Sequence, residues 1–198
     1  IEGMIAVLEY AKKNGSGVIF ASTSSIYNGL KPPHREDMLP IVTDYYTEAR
    51  YCIERLAELY WKLHGVRSVA LRYFSVYGPK EEFKGKYANI VSQFLWKIMR
   101  DESPVIYGDG SQTRDFIWVK DVVEANMLAM KKIVDGEIGF EVINVGTGRN
   151  KSFNDVVKII NSALGKNIKP VYVENPIKNY VMHTLADVEK AKKVLGFE

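Results

Sequence analysis

A chain of 198 residues holds one domain with a sizeable core, or one and a half smaller ones. Its 46% hydrophobic and 26% charged residues are those of an ordinary globular protein. A net charge of +3, with Lys and Arg scattered along the chain, argues against a nucleic-acid partner. No apolar run approaches the ~18 residues of a membrane span, and Ile1 to Ala11, with Glu2 and Glu9, does not read as a signal peptide. The single cysteine, Cys52, excludes a disulfide framework and a Cys-based zinc site. It suits a reducing cytoplasm and falls on the apolar side of a predicted helix, where a buried, inert thiol is expected. His34, His64 and His183 lie far apart in sequence without ligand spacing, so no metal site is expected.

Ile1, Met4, Ile5, Leu8 and Ala11 repeat at helical spacing, with Asn14-Gly15 as the stop. The apolar run Gly17 to Ala21 reads as a strand buried on both faces of a parallel sheet. Ser22-Thr-Ser-Ser25 follows at its carboxyl end, where open α/β sheets place their ligands. Gly29 to Pro40 is a loop rich in Pro and charge. Tyr46, Ala49, Cys52, Ile53, Leu56, Ala57 and Tyr60 trace one face of a long helix ending near His64-Gly65, and Ser68 to Tyr73 is the next buried strand. This alternation points to a doubly wound α/β sheet. Further on, Glu81 to Lys86 reads as a charged loop, Ile90 to Ile98 as a helix and Val105 to Tyr107 as a short strand. Gly108 to Asp115 reads as a polar loop. A helix start with reciprocal capping is expected at Asp121 and Glu124. Phe140 to Val145 is a strand closed by Gly146-Thr-Gly148. Ser152 caps a helix stopped by Gly165, Val171 to Val173 is an edge strand, and Asp187 caps a last helix ending at Gly196.

A tyrosine one helical turn before a cation can act as an acid/base group, because the nearby positive charge favours the phenolate. With 12 Tyr and 27 Lys+Arg, chance supplies about one or two such pairs. There are three: Tyr27/Lys31, Tyr46/Arg50 and Tyr51/Arg55. Only Tyr46/Arg50 opens a helix that follows the strand and its Ser/Thr turn. Tyr27/Lys31 falls in the loop and Tyr51/Arg55 on another helical face, so both read as structural.

Six stretches then occur in one order. They are Ala21-Ser-Thr-Ser-Ser-Ile-Tyr27, Tyr46-x-x-x-Arg50, Leu71-Arg-Tyr-Phe-Ser-Val-Tyr-Gly-Pro79, Tyr107-Gly-Asp-Gly-Ser-Gln-Thr-Arg-Asp-Phe116, Asn144-Val-Gly-Thr-Gly148 and Leu185-Ala-Asp187. Together they resemble the extended short-chain dehydrogenase/reductases, in particular the NAD-dependent nucleotide-sugar epimerase/dehydratase family and its UDP-glucose 4-epimerase branch. The resemblance implies an α/β fold: the carboxyl-terminal part of a Rossmann-type doubly wound parallel sheet, with a smaller α/β substrate-binding region. Residues 1–80 would be the second half of the Rossmann-type domain. Residues 81–198 would mainly bind the nucleotide sugar, with some elements returning to the main sheet.

The resemblance also implies roles. Tyr46 would exchange the proton of the reacting sugar hydroxyl, and Thr23 would hydrogen-bond that hydroxyl. Arg50 stands where the family has the lysine that binds the nicotinamide ribose; arginine keeps the charge on a larger, planar group. Phe74 would lie beside the nicotinamide. Ser75, in place of the family's Asn, and Arg114 would face the substrate phosphates. Tyr87, Val105 and Tyr107 would enclose the uridine. Lys178 lies one position off a second phosphate-binding arginine. Structural readings stand beside these: Thr23 as a turn cap, Tyr46 as a tyrosine packed on the sheet, Arg114 in an ion pair with Asp109 or Asp115.

The family's glycine-rich pyrophosphate turn has no counterpart here. About a hundred residues of such an enzyme would therefore precede Ile1, and the chain as written is expected to bind NAD poorly or not at all. The expected partners are a UDP-hexose and a second copy, paired through the Tyr46 helix and its neighbour. Dehydration is disfavoured, because the two positions after Thr23 are Ser24 and Ser25, neither an acid nor a base. A nucleotide-sugar reductase, or a non-catalytic binding or dimerising module, remains an alternative.

Overall fold

The structure, a computed structural model, describes residues 1–41, 44–177 and 179–198. In chain order, helix α1 (Glu2–Asn14), strand β1 (Val18–Thr23), a 3-10 turn (Ser24–Tyr27), α2 (Tyr45–His64) and β2 (Ser68–Tyr73) form the first layer set. There follow β3 (Ser75–Tyr77), a 3-10 segment (Glu81–Tyr87), α3 (Ile90–Met99), β4 (Val105–Tyr107), β5 (Thr113–Trp118) and α4 (Val119–Val134). The chain closes with β6 (Phe140–Val145), β7 (Asn150–Ser152), α5 (Phe153–Leu164), β8 (Val171–Val173) and α6 (Glu189–Leu195).

The main sheet is parallel, in the order β1-β2-β6. Its register sets Thr23 beside Tyr73 and Tyr73 beside Val145, so the carboxyl ends of all three strands are level. Both faces are covered, as the unbroken apolar runs require. Ile19 packs towards the core built from Val69, Leu71, Ala125, Ala129 and Ala191. Its neighbour Phe20 packs on the other face, with Leu8, Ala11 and Ala57. Two smaller sheets complete the molecule, β3-β5-β7 and the parallel pair β4-β8. Phe94, Ile98, Ile106, Phe153 and Val157 form a separate core beneath them.

Helix boundaries follow local chemistry. Asp44 caps α2 by accepting from the Thr47 amide at 2.8 Å, and Gly65 ends it in the left-handed region at φ 69°. Ser152 and Asp155 form a reciprocal capping box on α5.

Four expectations from the sequence are corrected. Residues 81–87 are 3-10 helical rather than a loop, because the buried Glu81 carboxylate gathers the Ser92 hydroxyl and the Asn89 amide and stiffens the segment. The polar stretch ending at Asp115 contains the start of β5. Its polar residues Thr113 to Asp115 are stabilised by antiparallel pairing with β7, while Phe116 to Trp118 pair with β3, a tertiary effect that outweighs low strand propensity. Helix α4 starts at Val119, straight out of that strand and without a side-chain cap, instead of at Asp121. Cys52 is half-buried, not fully buried, because it sits at the flank of α2 instead of in its core-facing row.

Candidate functional site

The carboxyl end of β1 presents Thr23, buried, whose Oγ1 accepts from the Ser25 amide at 3.1 Å. The bond holds the chain in the turn expected of a strand-end hydroxyl. Helix α2 brings Tyr46 and Arg50 to the same region. The Arg50 guanidinium stands 5.2 Å from the centroid of the Tyr46 ring, and its Nη1 donates to the Ala21 carbonyl at 3.1 Å. One side chain therefore stacks on the tyrosine and ties its helix to the strand that carries Thr23. Tyr46 is 52% exposed, so its hydroxyl is open to a ligand.

Tyr27 is the opposite case. It is buried, accepts from Arg72 Nη1 at 2.8 Å and donates to Asn144 Oδ1 at 2.7 Å. Burial, only partly offset by the Arg72 cation, pushes its pKa up to about 12. It keeps its proton at neutral pH and is unsuited to accept one. Tyr27 lies in the 3-10 turn, not in a loop, because these bonds anchor it beneath the sheet.

Phe74 follows β2 and is buried with Tyr27 and Ala186, its ring 6.4 Å from that of His34. Ser75 opens β3, which runs beside β5, so Ser75 and Arg114 stand on neighbouring strands. Arg114 is held between the rings of Phe153 and Tyr180, at 5.5 and 5.4 Å, and its Nη1 donates to the Thr113 and Met182 carbonyls. Among the described residues no carboxylate pairs with it. Asp109 instead binds Ser111, and Asp115 is saturated by backbone amides. Burial lowers the Arg114 pKa from its ordinary value, with Tyr180 opposing. A half-buried cation without an anion is what a phosphate site offers its ligand.

The remaining predicted residues lie in the smaller region. Val105 and Tyr107 point to solvent on either side of buried Ile106. Tyr87 is 79% exposed, with Lys86 Nζ 5.2 Å from its ring centroid. Lys178 lies outside the described residues. The structure thus brings Tyr46 and Arg50 together and ties them to Ala21, two residues before Thr23 on β1, and places Ser75 and Arg114 on the paired strands β3 and β5. Tyr87, Val105 and Tyr107 are exposed, and the Tyr107 carbonyl is linked through Gln112 Nε2 to the hydroxyl of Tyr180, which stacks on Arg114. No group of three potential metal ligands occurs among the described residues.

Two polar clusters escaped the sequence reading. In the first, Arg72 grips Glu54 through Nε at 2.9 Å and Nη2 at 2.7 Å, while Ser22 Oγ donates to the same carboxylate. Burial alone would lower the Arg72 pKa; Glu54 and Tyr27 outweigh it and raise it. In the second, the fully buried Asp115 accepts from Thr147, Gly148 and Ala186. A signal for the first existed: a lone Arg in an otherwise buried strand must be paired, and Glu54 lies on the sheet-facing side of the preceding helix.

His34 gives the region a pH dependence. Its Nε2 lies 3.3 Å from the Leu30 carbonyl, its ring stacks 4.9 Å from Tyr27, and buried Nδ1 has no partner. Burial holds its pKa below the usual histidine value. The unfolded chain therefore takes up a proton first, near pH 6.5, and stability present above that pH is lost as pH falls below it. Glu36, whose carboxyl burial pushes up, works in the opposite sense, so a variant is needed to isolate the histidine. Thermal melts from about pH 7.5 to 5.5 should show a shallower loss in His34→Phe than in the wild type. Parallel profiles would clear His34 of this role.

Residues 1–146 match the model of the NAD dependent epimerase/dehydratase family. The chain is 36% identical over its whole length to a UDP-glucuronate 4-epimerase of Thermodesulfobacterium geofontis, of which it covers 59%. The whole chain superimposes with TM-score 0.91 and 36% identity on 63% of the UDP-glucose 4-epimerase of Thermotoga maritima, solved with UDP-glucose. It matches 60% of the UDP-glucuronic acid 4-epimerase of Bacillus cereus, solved with UDP-glucuronic acid and NAD, with TM-score 0.85 and 29% identity. The chain thus spans about three-fifths of the length of these relatives.

Proposed function

Because the chain belongs to the NAD-dependent epimerase/dehydratase family, we propose that it carries the acid/base and substrate-binding part of a nucleotide-sugar 4-epimerase. The preferred substrate pair is UDP-glucose and UDP-galactose. The observation that carries this reading is Arg114, a cation with no carboxylate partner among the described residues, held between two aromatic rings and joined through β5 and β3 to the level end of the main sheet. A guanidinium so fixed matches the oxygens of a diphosphate. Ser75 and Lys178 are its assigned helpers, and Tyr87, Val105 and Tyr107 offer the exposed apolar and aromatic surface that a uracil ring needs.

At the other end of the substrate, Tyr46 takes the proton of the C4 hydroxyl and later returns it, with Thr23 holding the oxygen in line. Arg50 keeps a positive charge on the Tyr46 ring throughout, and Phe74 backs the site from the core. NAD, when bound, supplies the hydride acceptor at C4. The residues present fit only its nicotinamide end, through Tyr46 and Arg50. Among the described residues, no strand of the main sheet passes directly through a glycine turn into a helix: β1 enters the Ser24–Tyr27 turn, β2 leads to β3, and β6 leads to Gly146–Gly148 and β7. The dinucleotide thus needs further protein. Strand β1 is unpaired on its outer side among the described residues, and Ile133 of α4 packs over its start at Gly17. Val123, Met127, Met130 and Val134 form an exposed apolar stripe along the same helix. An added parallel strand and helix carrying the pyrophosphate turn would cover both.

The second copy is assigned to the outer faces of α1 and α2, which pack on each other and leave Val7, Tyr10, Leu59 and Leu63 exposed. Sedimentation at micromolar concentration should give a dimer; a monomer removes this part of the reading. No helix among the described residues is long and apolar enough to cross a membrane, and the free Cys52 agrees with a reducing cytoplasm. The function itself is tested by calorimetric titration of the chain with UDP-glucose. Saturable binding supports it, and no binding at millimolar ligand defeats it.

A further inference from the structure

We propose that Glu54 is the positioning residue that sets the Tyr46 hydroxyl against Thr23. The proposal rests on the reading of that pair as the groups that contact the sugar. Glu54 lies two helical turns after Tyr46 and one after Arg50, on the side of α2 that faces the sheet. It is 2% exposed and its partner Arg72 is 3% exposed. Its carboxylate joins three elements at once. Ser22, adjacent to Thr23 on β1, donates to Oε1. Arg72 on β2 donates to Oε1 at 2.9 Å and to Oε2 at 2.7 Å. Through Arg72 Nη1 the link continues to Tyr27, in the turn that follows Thr23, and from Tyr27 to Asn144 on β6.

Helix α2 is therefore locked to the end of β1 by two bonds one turn apart, Arg50 to Ala21 and Glu54 to Ser22. Of these, the Arg50 bond is half-exposed and made by a long, flexible side chain. The Glu54 bond is buried and bidentately backed, so it fixes the register. Apolar packing by Ile53 and Ala57 holds the helix on the sheet but is not directional. A slide along the helix axis would disturb this packing and move Tyr46 away from Thr23. The directional bonds add the orientation that packing alone lacks.

The test compares affinities for UDP-glucose and for UDP by calorimetry, in the wild type and three variants. UDP reports the phosphate and uridine contacts; the ratio of the two affinities reports the sugar contacts. Ser22→Ala removes the link to β1 and leaves the ion pair intact. It should leave UDP affinity unchanged and lower the preference for UDP-glucose about fivefold, the worth of one ordinary hydrogen bond. Glu54→Met with Arg72→Met removes the buried pair without leaving a lone charge, a change that stable cores tolerate. It should keep UDP affinity and lose at least as much sugar preference. Sugar preference kept in Ser22→Ala at unchanged melting temperature would overturn the proposal, whether or not the double variant folds. Tyr46→Phe is the control for the underlying reading: if it leaves the preference unchanged, or the wild type has none, that reading falls first and independently.

Discussion

Replacing Arg114 by alanine is expected to weaken UDP-glucose binding about 100-fold, with little change in melting temperature. The magnitude follows from losing a charge-assisted, fork-shaped contact with a diphosphate, about 3 kcal/mol. Stability should be spared because no carboxylate is left behind: the partners of Arg114 are two carbonyls and two aromatic faces. Arg114→Lys should recover only part of the affinity, since an ammonium keeps the charge and loses the fork. Calorimetry on the three chains checks this. Equal affinities would return Arg114 to a structural role, as a plug between Phe153 and Tyr180.

Asp115→Ala should have the reverse profile, a large loss of stability that precedes any effect on ligand. Asp115 Oδ1 accepts from Thr147 N at 2.8 Å and Thr147 Oγ1 at 2.7 Å; Oδ2 accepts from Gly148 N and Ala186 N, each at 3.0 Å. Removing it strips buried amides of their acceptor, at a cost of about 3 kcal/mol or more. For a chain of this size that lowers the melting temperature by about 6–12 °C. Asp115→Asn should fare little better, because its amide group would face at least one backbone N–H, donor against donor. The turn has no slack to reorganise: a side chain at Gly146 would meet Ala186 Cβ at 2.7 Å and Asp115 Oδ2 at 3.0 Å. A melting temperature within about 2 °C of wild type would show that water replaces the carboxylate.

These two clusters tie five of the six motifs together in space. Asp115, near the end of the Tyr107–Phe116 stretch, holds the Asn144–Gly148 and Leu185–Asp187 stretches. Arg72 joins the Leu71–Pro79 stretch to Tyr27 of the first motif and, through it, to Asn144 of the fifth. Residues that looked like six independent signatures are in part the ends of two hydrogen-bonded nodes. Their role is to bring the strand ends and the connecting turns to one place.

What the sequence determined by itself was most of the regular elements with a clear local pattern. Periodicity and caps located α1, α2, α3, α5 and the strands β1, β2, β4, β6 and β8, because each element's apolar pattern and terminal Gly, Asp or Ser are short-range properties. It also separated Tyr46/Arg50 from two pairs with the same spacing, since position after a Ser/Thr strand end is a matter of chain order. Tertiary structure decided the rest. β5 was hidden because Thr113 to Asp115 are polar and are strand only through their neighbour β7. The start of α4 was misplaced because its entry is set by that strand instead of by a cap. Tyr27 and Tyr46 are the same residue type with a cation four positions on. Burial beside Arg72 makes one a proton-bound strut and exposure beneath Arg50 leaves the other open to a ligand, and solvent access is a property no single sequence window contains.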